Sequence, residues 1–450
     1  MAMFKDDSVR LPEFERFVHE TPSWFSDAKL GIFVHWGAYS VAAWAEPIGE
    51  LGADDHAHDF ARNPYAEWYF NTIRIEGSPA QQHHQETFGD VDYDHLLDLW
   101  RAENFDADEV LALVKHTGAR YFVPTTKHHD GITLWDAPET DGRNTVARGP
   151  KRDLIGEFAE ATERAGLKFG VYYSGGLDWH HSPSAPVVET DGPDGWTNRA
   201  NDEPYAEYAH KHVADLIERY RPEVLWNDIE WPDPGKDGGE HGLVSLFDRF
   251  YTVAPDGLIN DRWGDTHWDY RTTEYQMGED INDEPWENCR GIGYSFGHNT
   301  LEDETHLLSG EAAIRYFADI VARGGNLLLN IGLQADGTVP VDQRATLETL
   351  GDWNAVNGAA IFGSRQLDAS IASGSESPWT RWTRTGDTAN AIIDADGPVT
   401  LSVSIDAVAT DSARLLDGTP VTATVGDGGV TVELPKRSAP GPQVVVFDLV

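Results

Sequence analysis

DLIGEFAEATERAGLKFGVYYS, residues 153–174, joins a helix to a strand in a single stretch. In its first half Leu154, Ile155, Phe158 and Ala161 share one apolar face at helical spacing. Asp153 stands where an N-cap side chain accepts the free amides of a first turn, and Gly166 where the chain leaves a helix through the left-handed region. The second half, KFGVYYS at 168–174, is a short apolar run of the kind that forms a buried strand. An earlier run, RYFVPTT at 120–126, supplies a strand on the other side, and strand, helix and strand in this order are the signature of parallel βα units.

The alternation continues outward in both directions, from about residue 29 to residue 357. Further strand-like runs are LGIFVHW at 30–36, EVLWND at 223–228, GLINDRW at 257–263, TTEY at 272–275, a weak one near 289–294, and NLLLNIG at 326–332, which brings the count to eight. Helical faces recur in 106–117 through Val110, Leu111, Leu113 and Val114, and in 205–220 through Tyr205, Ala209, Val213 and Leu216. Ser309 caps a further helix carrying Ile314, Phe317, Ala318 and Val321. Eight such strands close best as a barrel, while a doubly wound open sheet gives much the same local pattern. From Gly363 the texture changes to period-two alternation in TLSVSIDAV, GVTVELP and QVVVFDLV, broken by turn signals at DADG, LDGTP and GDGG. Residues 363–450 therefore read as a small C-terminal β-sandwich after a catalytic domain at 1–362. Its expected role is packing, although Trp379 and Trp382 could offer faces on which a sugar stacks.

Composition sets limits. With 34 Lys and Arg against 76 Asp and Glu, the net charge of -42 repels nucleic acid and anionic membrane surfaces. The acids are scattered, which describes a solvated acidic surface, either one suited to high salt or that of an ordinary acidic protein. The single Cys289 leaves no intrachain disulfide and no cysteine-based metal cluster. The start, MAMFKDDSVR, lacks the apolar core of a signal peptide, so a cytoplasmic location is expected; a homo-oligomer is compatible with the sequence.

In a barrel the chemistry sits at the C-terminal ends of strands. Asp228 ends VLWND, where a period of two puts it on the face of Trp226 and turns Asn227 away. Glu274 ends TTEY, two strands further round, so the two carboxylates can face one another across the mouth. About 5 Å between them suits nucleophilic attack with proton donation, whereas roughly 6.5–9.5 Å admits an inverting water. Taken singly, Asp228 reads equally well as a loop cap or the partner of an Arg, and Glu274 more readily as a solvated or ion-paired residue. Histidines also gather at strand ends, His35 in FVHWG and His128 with His129 in TKHHDG. Neighbours on one strand point their rings to opposite faces and chelate poorly, and no HExxH motif is present, so hydrogen bonds to sugar hydroxyls are expected and no metal or cofactor is. His83, His84, His180 and His181 are assigned to the surface. Several of the 16 Trp residues flank these polar groups, and a pyranose site requires both aromatic faces and hydroxyl partners.

These residues resemble the retaining α-L-fucosidases of glycoside hydrolase family 29 over about residues 22–365. The resemblance rests on PSWFSDAKLGIFVHWGAYS at 22–40, NPYAEWY at 63–69, TTKHHDGITLW at 125–135, GPKRDLIGEF at 149–158, GVYYSGGLDW at 170–179, VLWNDIEWP at 224–232, INDRWG at 259–264 and GGNLLLNIG at 324–332. It implies an α/β fold, a (β/α)₈-type TIM-like barrel followed by a β-sandwich, acting on a terminal fucosyl group of a glycan or simple fucoside. It further implies that Asp228 is the nucleophile and Glu274 the general acid and base, with Arg262 close to Glu274. His35, Glu67, Trp68, His128, His129, Tyr172 and Trp226 fall where the family contacts fucose, and Phe33 and Phe296 where a pocket for its C6 methyl is expected. An ionised Asp228 nearby would favour the protonated form of Glu274 that donation requires. Glu230, two residues after Asp228, departs from the small residue common in relatives and either holds a loop or competes in the site. The stretches 49–62 and 180–204 look like insertions on the leaving-group side. Two rivals predict different outcomes: a metal on His35, His128 and His129 makes activity sensitive to chelators, and a lectin-like protein binds fucose without hydrolysis.

Overall fold

The computed structural model describes residues 10–50, 60–181, 186–188, 199–275, 284–426 and 429–450. Most of the two insertion-like stretches, 51–59 and parts of 182–198, lie outside the described residues. Eight strands, β1 (Leu30–His35), β2 (Tyr121–Lys127), β3 (Lys168–Ser174), β4 (Val224–Asp228), β5 (Leu258–Ile259), β6 (Arg271–Glu274), β7 (Trp286–Gly291) and β8 (Asn326–Gly332), form one sheet in the order β5-β4-β3-β2-β1-β8-β7-β6. Every neighbouring pair within it is parallel. The two ends of the sheet meet through a parallel bridge between Asn260 and Tyr270, so the sheet curls into a barrel instead of lying open.

The helix ends follow the capping chemistry of the sequence. The helix Leu154–Ala165 begins with Asp153 accepting the Gly156 amide at 2.9 Å and ends on Gly166 at φ 72°. Asp106 caps Ala107–His116, Asp202 caps Glu203–Tyr220 and Ser309 caps Gly310–Ala322. The apolar faces of these helices pack on outward residues of the strands such as Ile32, Val34, Val171 and Leu225. Inward residues of the same strands, among them Phe33, Tyr172 and Trp226, form a separate cluster inside the barrel, as a period of two demands.

Three strands differ from expectation. β5 stops at Ile259 because the side chain of Asn260 takes over the pairing, accepting the Asn227 amide and donating to the Asn227 carbonyl. β6 starts and ends one residue early, as Tyr275 turns into the left-handed region at φ 57°. β7 lies at Trp286–Gly291, three residues ahead of the expected 289–294; its buried Glu287 looks foreign to a strand core until its partners, the Tyr121 hydroxyl and the Trp226 indole, are seen.

After the helix Val341–Asn357 the chain is antiparallel. One sheet has the order β10 (Ser375–Glu376), β11 (Trp379–Thr385), β12 (Thr388–Asp394), β17 (Gln443–Leu449), β14 (Val408–Leu415), with β9 (Arg365–Gln366) also on β11. The other is β13 (Gly397–Leu401), β16 (Gly429–Leu434), β15 (Thr422–Gly426). Ala391, Ile393, Val445 and Phe447 of the larger sheet meet Val399, Leu401, Val430 and Val432 of the smaller in one apolar layer. The opposite face of the larger sheet, with Trp379, Ile392 and Val444, packs on Phe317 and Trp353 of the barrel helices. Trp379 and Trp382 are thus buried at 6% and 5% exposure and present no stacking face to a sugar. Among the described residues no helix is long and apolar enough to cross a membrane.

Candidate active site

β4 delivers Asp228 to the mouth of the barrel, and its register beside β3 sets Trp226 against Tyr172 and Asp228 against Ser174. The chain then turns sharply: Ile229 and Glu230 both have positive φ, 57° and 66°. A β-branched residue rarely adopts that conformation, and the strain is held by neighbours. The amides of Gly175 and Gly176 each donate to the Asp228 carbonyl at 3.2 Å, and a Cβ on Gly176 would lie 1.6 Å from the Ile229 carbonyl oxygen. Asn227, facing away from the pocket as its position requires, donates to the carbonyls of Glu230 and Arg262 and so ties this turn to the next strand's loop.

Arg262 joins the two acids. Its Nη1 donates to Asp228 Oδ1 at 2.8 Å and its Nη2 to Glu274 Oε2 at 3.2 Å, while Nε is fixed on the Thr272 hydroxyl at 3.0 Å. Since both contacts belong to one planar guanidinium, these oxygens are separated by at most about 8 Å. The Trp226 ring lies 4.5 Å under the same guanidinium. Asp228 Oδ1 also accepts the Ile229 amide, and Oδ2 accepts the Tyr172 hydroxyl at 2.9 Å. Burial pushes the Asp228 carboxyl up, but the Arg262 guanidinium and the hydrogen bonds from Arg262 and Tyr172 outweigh it and hold the group below its ordinary value. Glu274 accepts the Tyr65 hydroxyl on Oε1 at 3.1 Å.

Two histidines are oriented by groups behind them. His35 Nδ1 lies 2.7 Å from Asn330 Oδ1, whose amide nitrogen is committed to the Phe296 carbonyl, so Nδ1 carries the proton and Nε2 is a bare acceptor. His129 Nδ1 likewise donates to Ser174 Oγ, which itself donates to the Leu177 carbonyl. Its Nε2 stands 3.8 Å from Asp228 Oδ2. Burial lowers His35 to about 4 and His129 to about 3, so both rings are neutral at neutral pH. His128 stacks on Tyr172 with an interplanar angle of 11°. The expectation that His128 and His129 face opposite ways is corrected: both line the pocket, their centroids 4.0 Å apart, because β2 ends at Lys127 and strand alternation ends with it.

All twelve residues named from the sequence, Asp228, Glu274, Phe33, His35, Glu67, Trp68, His128, His129, Tyr172, Trp226, Arg262 and Phe296, line this one pocket. Glu67 Oε2 accepts the Gly297 amide at 2.7 Å and the Ser295 hydroxyl at 3.1 Å, and burial raises its carboxyl to about 7. Phe33 and Phe296 flank His35, with centroid separations of 4.7 and 5.0 Å. Four lining residues fall outside the set expected from the sequence: Phe60, Tyr65, Ile229 and Cys289. Tyr65 lies inside NPYAEWY and is legible there; the backbone turn that brings Ile229 in leaves no mark on the sequence. Glu230 is not in the pocket, because Lys236 and Arg199 bind it at 3.1 and 3.4 Å on the outside. His84, expected at the surface, is buried against the Tyr69 hydroxyl in the helix Pro79–Phe88. Among the described residues, the His, Cys, Asp and Glu ligand atoms that gather in a group of three or more belong to His19, His267 and Asp269, not to the pocket histidines.

Known proteins resemble the whole of this arrangement. A profile of the alpha-L-fucosidase family matches residues 8–359. The alpha-L-fucosidase of Dictyostelium discoideum is 31% identical over 352 residues, 76% of this chain and 72% of that one. A crystal structure of Thermotoga maritima alpha-fucosidase superposes with a TM-score of 0.85 at 40% identity, covering 95% of this chain and 97% of the other. The same enzyme in complex with fucose gives a TM-score of 0.84 at 39% identity over 95% and 97% of the two chains. With this barrel, this pocket and these relatives, the chain belongs to the alpha-L-fucosidase family, glycoside hydrolase family 29, and is a glycoside hydrolase.

Proposed function

We propose that this α-L-fucosidase removes terminal fucosyl groups with retention of configuration, by double displacement, with Asp228 as nucleophile and Glu274 as general acid and base. The observation that carries the choice of these two acids is the Arg262 guanidinium bonded at once to both carboxylates; retention follows the family resemblance. Asp228 Oδ1 is filled by two donors, so Oδ2 is the oxygen with a lone pair left to attack the anomeric carbon. As that bond forms, Glu274 passes its proton to the departing oxygen and becomes a carboxylate. Negative charge thereby leaves one acid and arises on the other, and Arg262 neutralises it in both states without moving. Glu274 then takes a proton from water, whose oxygen attacks the same carbon and frees Asp228.

His35 Nε2, His129 Nε2 and Glu67 accept hydrogen bonds from sugar hydroxyls, and Tyr172 and Trp226 shape the apolar wall. Phe33 and Phe296 enclose the C6 methyl; a galactoside, with a hydroxyl there, would bury it without a partner and bind less well. A Thermotoga maritima alpha-fucosidase similar to this chain is described in complex with a mechanism based inhibitor, which supports hydrolysis at the corresponding pocket. Asp228→Gly is expected to abolish turnover of p-nitrophenyl α-L-fucoside, and azide to restore part of it as a fucosyl azide. Full activity in Asp228→Gly, together with loss in Glu230→Gly, would overturn the assignment.

A further inference from the structure

The barrel has one weak seam. β5 is two residues long and meets β6 through the Asn260–Tyr270 bridge, reinforced by Asp269, whose amide donates to the Ile259 carbonyl and whose Oδ2 accepts the Ile259 amide at 2.7 Å. The N-terminal segment covers this seam from outside: Phe14 and Phe17 pack edge-on against Phe247, and Phe17 also contacts the rings of Tyr251 and His267. Three potential ligands converge where that segment ends. His267 Nε2 lies 3.3 Å, and His19 Nε2 3.6 Å, from the same Asp269 Oδ1. No two of the ligand atoms are further apart than 4.8 Å.

We infer that His19, His267 and Asp269 form a binding site for a divalent transition cation of the zinc class, which staples the N-terminal segment onto the β5–β6 seam. Three arguments support this. His19 Nδ1 lies 2.8 Å from the Phe17 carbonyl and must donate to it, so the lone pair of a neutral His19 sits on Nε2 and faces a carboxylate oxygen. A cation between the two turns that repulsion into coordination. Ligand bonds of about 2.0–2.1 Å in a tetrahedron place neighbouring donors about 3.3 Å apart, close to the separations from Asp269 Oδ1. Asp269 Oδ2 is held by the Ile259 amide and by the Tyr251 hydroxyl at 2.8 Å, which leaves Oδ1 directed at the imidazoles; the same hydroxyl lies 2.7 Å from His267 Nε2, so a cation takes the place of the proton that Nε2 gives to Tyr251, and that proton moves to Nδ1. His267 and Asp269 are buried, whereas the His19 side chain is 33% exposed and provides the entry path and room for a water as fourth ligand. None of the three lines the catalytic pocket, so the site is structural.

The test uses the full chain without a histidine tag, stripped with EDTA and titrated with ZnCl₂ by calorimetry at neutral pH, with the melting temperature followed in parallel. One zinc per chain is expected, with a rise in Tm. His19→Ala, at a partly exposed position that should not disturb folding, is expected to weaken binding by at least about tenfold and to remove the Tm response. His129→Ala is expected to leave zinc uptake unchanged. Absence of zinc uptake by the parent, uptake that His19→Ala leaves unchanged, or uptake lost in His129→Ala would each overturn the inference. Removal of zinc is expected to lower Tm and to leave kcat/KM at room temperature intact, which separates this site from a catalytic metal.

Discussion

The most informative single substitution is Glu67→Gln. Glu67 sits in the short 3-10 turn Ala66–Trp68, is 1% exposed, and has its carboxyl raised by burial from an ordinary 4.5 to about 7. A raised folded-state pKa means that the folded protein holds this proton more tightly than the unfolded chain does. The associated stability is complete below the unfolded value and is lost as pH rises through 7. A shift of this size corresponds to roughly 3 kcal/mol of destabilisation between acid and alkaline pH. Unfolding entropy per residue, scaled to this chain, turns that into about 3 °C of melting temperature. The amide introduced by Glu67→Gln would stay neutral throughout, and its carbonyl oxygen can accept from both Gly297 and Ser295, so the geometry survives. The assay is Tm for parent and variant at about pH 5 and about pH 8; taking the difference cancels the other raised carboxyls, such as Glu287 at about 7. The variant is expected to gain about 3 °C on the parent across that interval, while kcat/KM on an aryl fucoside falls roughly ten- to a hundredfold for want of a charged acceptor. A Tm difference that does not change with pH would refute the claim that this acid destabilises the fold once ionised.

Gly176→Ala is expected to lower kcat at least a hundredfold or so and to destabilise by about 3 kcal/mol, because its Cβ would strike the Ile229 carbonyl and push the turn off Asp228; parental kcat in the Gly176→Ala enzyme would show that the turn can move freely. Glu230→Gln is expected to retain activity within about threefold and to change stability by less than about 1 kcal/mol, since its ion pairs with Lys236 and Arg199 are partly exposed and outside the pocket. Raising KCl from the low millimolar range to about 1 M is expected to raise Tm, as a Debye length of about 3 Å screens the repulsion of a net charge of -42; an unchanged Tm would mean that the acidic surface carries no such strain.

The most readable elements are those whose partners are close in sequence. Asp153 and Gly166 bracket their helix because a cap bonds to amides within its own first turn, and β1 to β4 and β8 stand out as apolar runs buried on both faces. β7 begins three residues earlier than its local pattern indicates because its core residue Glu287 is satisfied by Tyr121 and Trp226 on other strands. Alternation alone puts His128 and His129 on opposite faces, but the end of β2 depends on packing and not on the local pattern.

By itself the sequence determined the order of strands and helices, the net acidic charge, and which side chains line the pocket, since spacing and residue type act locally. Only the tertiary structure decided that the ends of the sheet meet, that one guanidinium touches two acids from different strands, that Glu230 turns outward, and that His19 reaches Asp269. Each of these depends on distances between segments far apart in the chain. Such distances are set by how the whole barrel closes, and no window of neighbouring residues contains them.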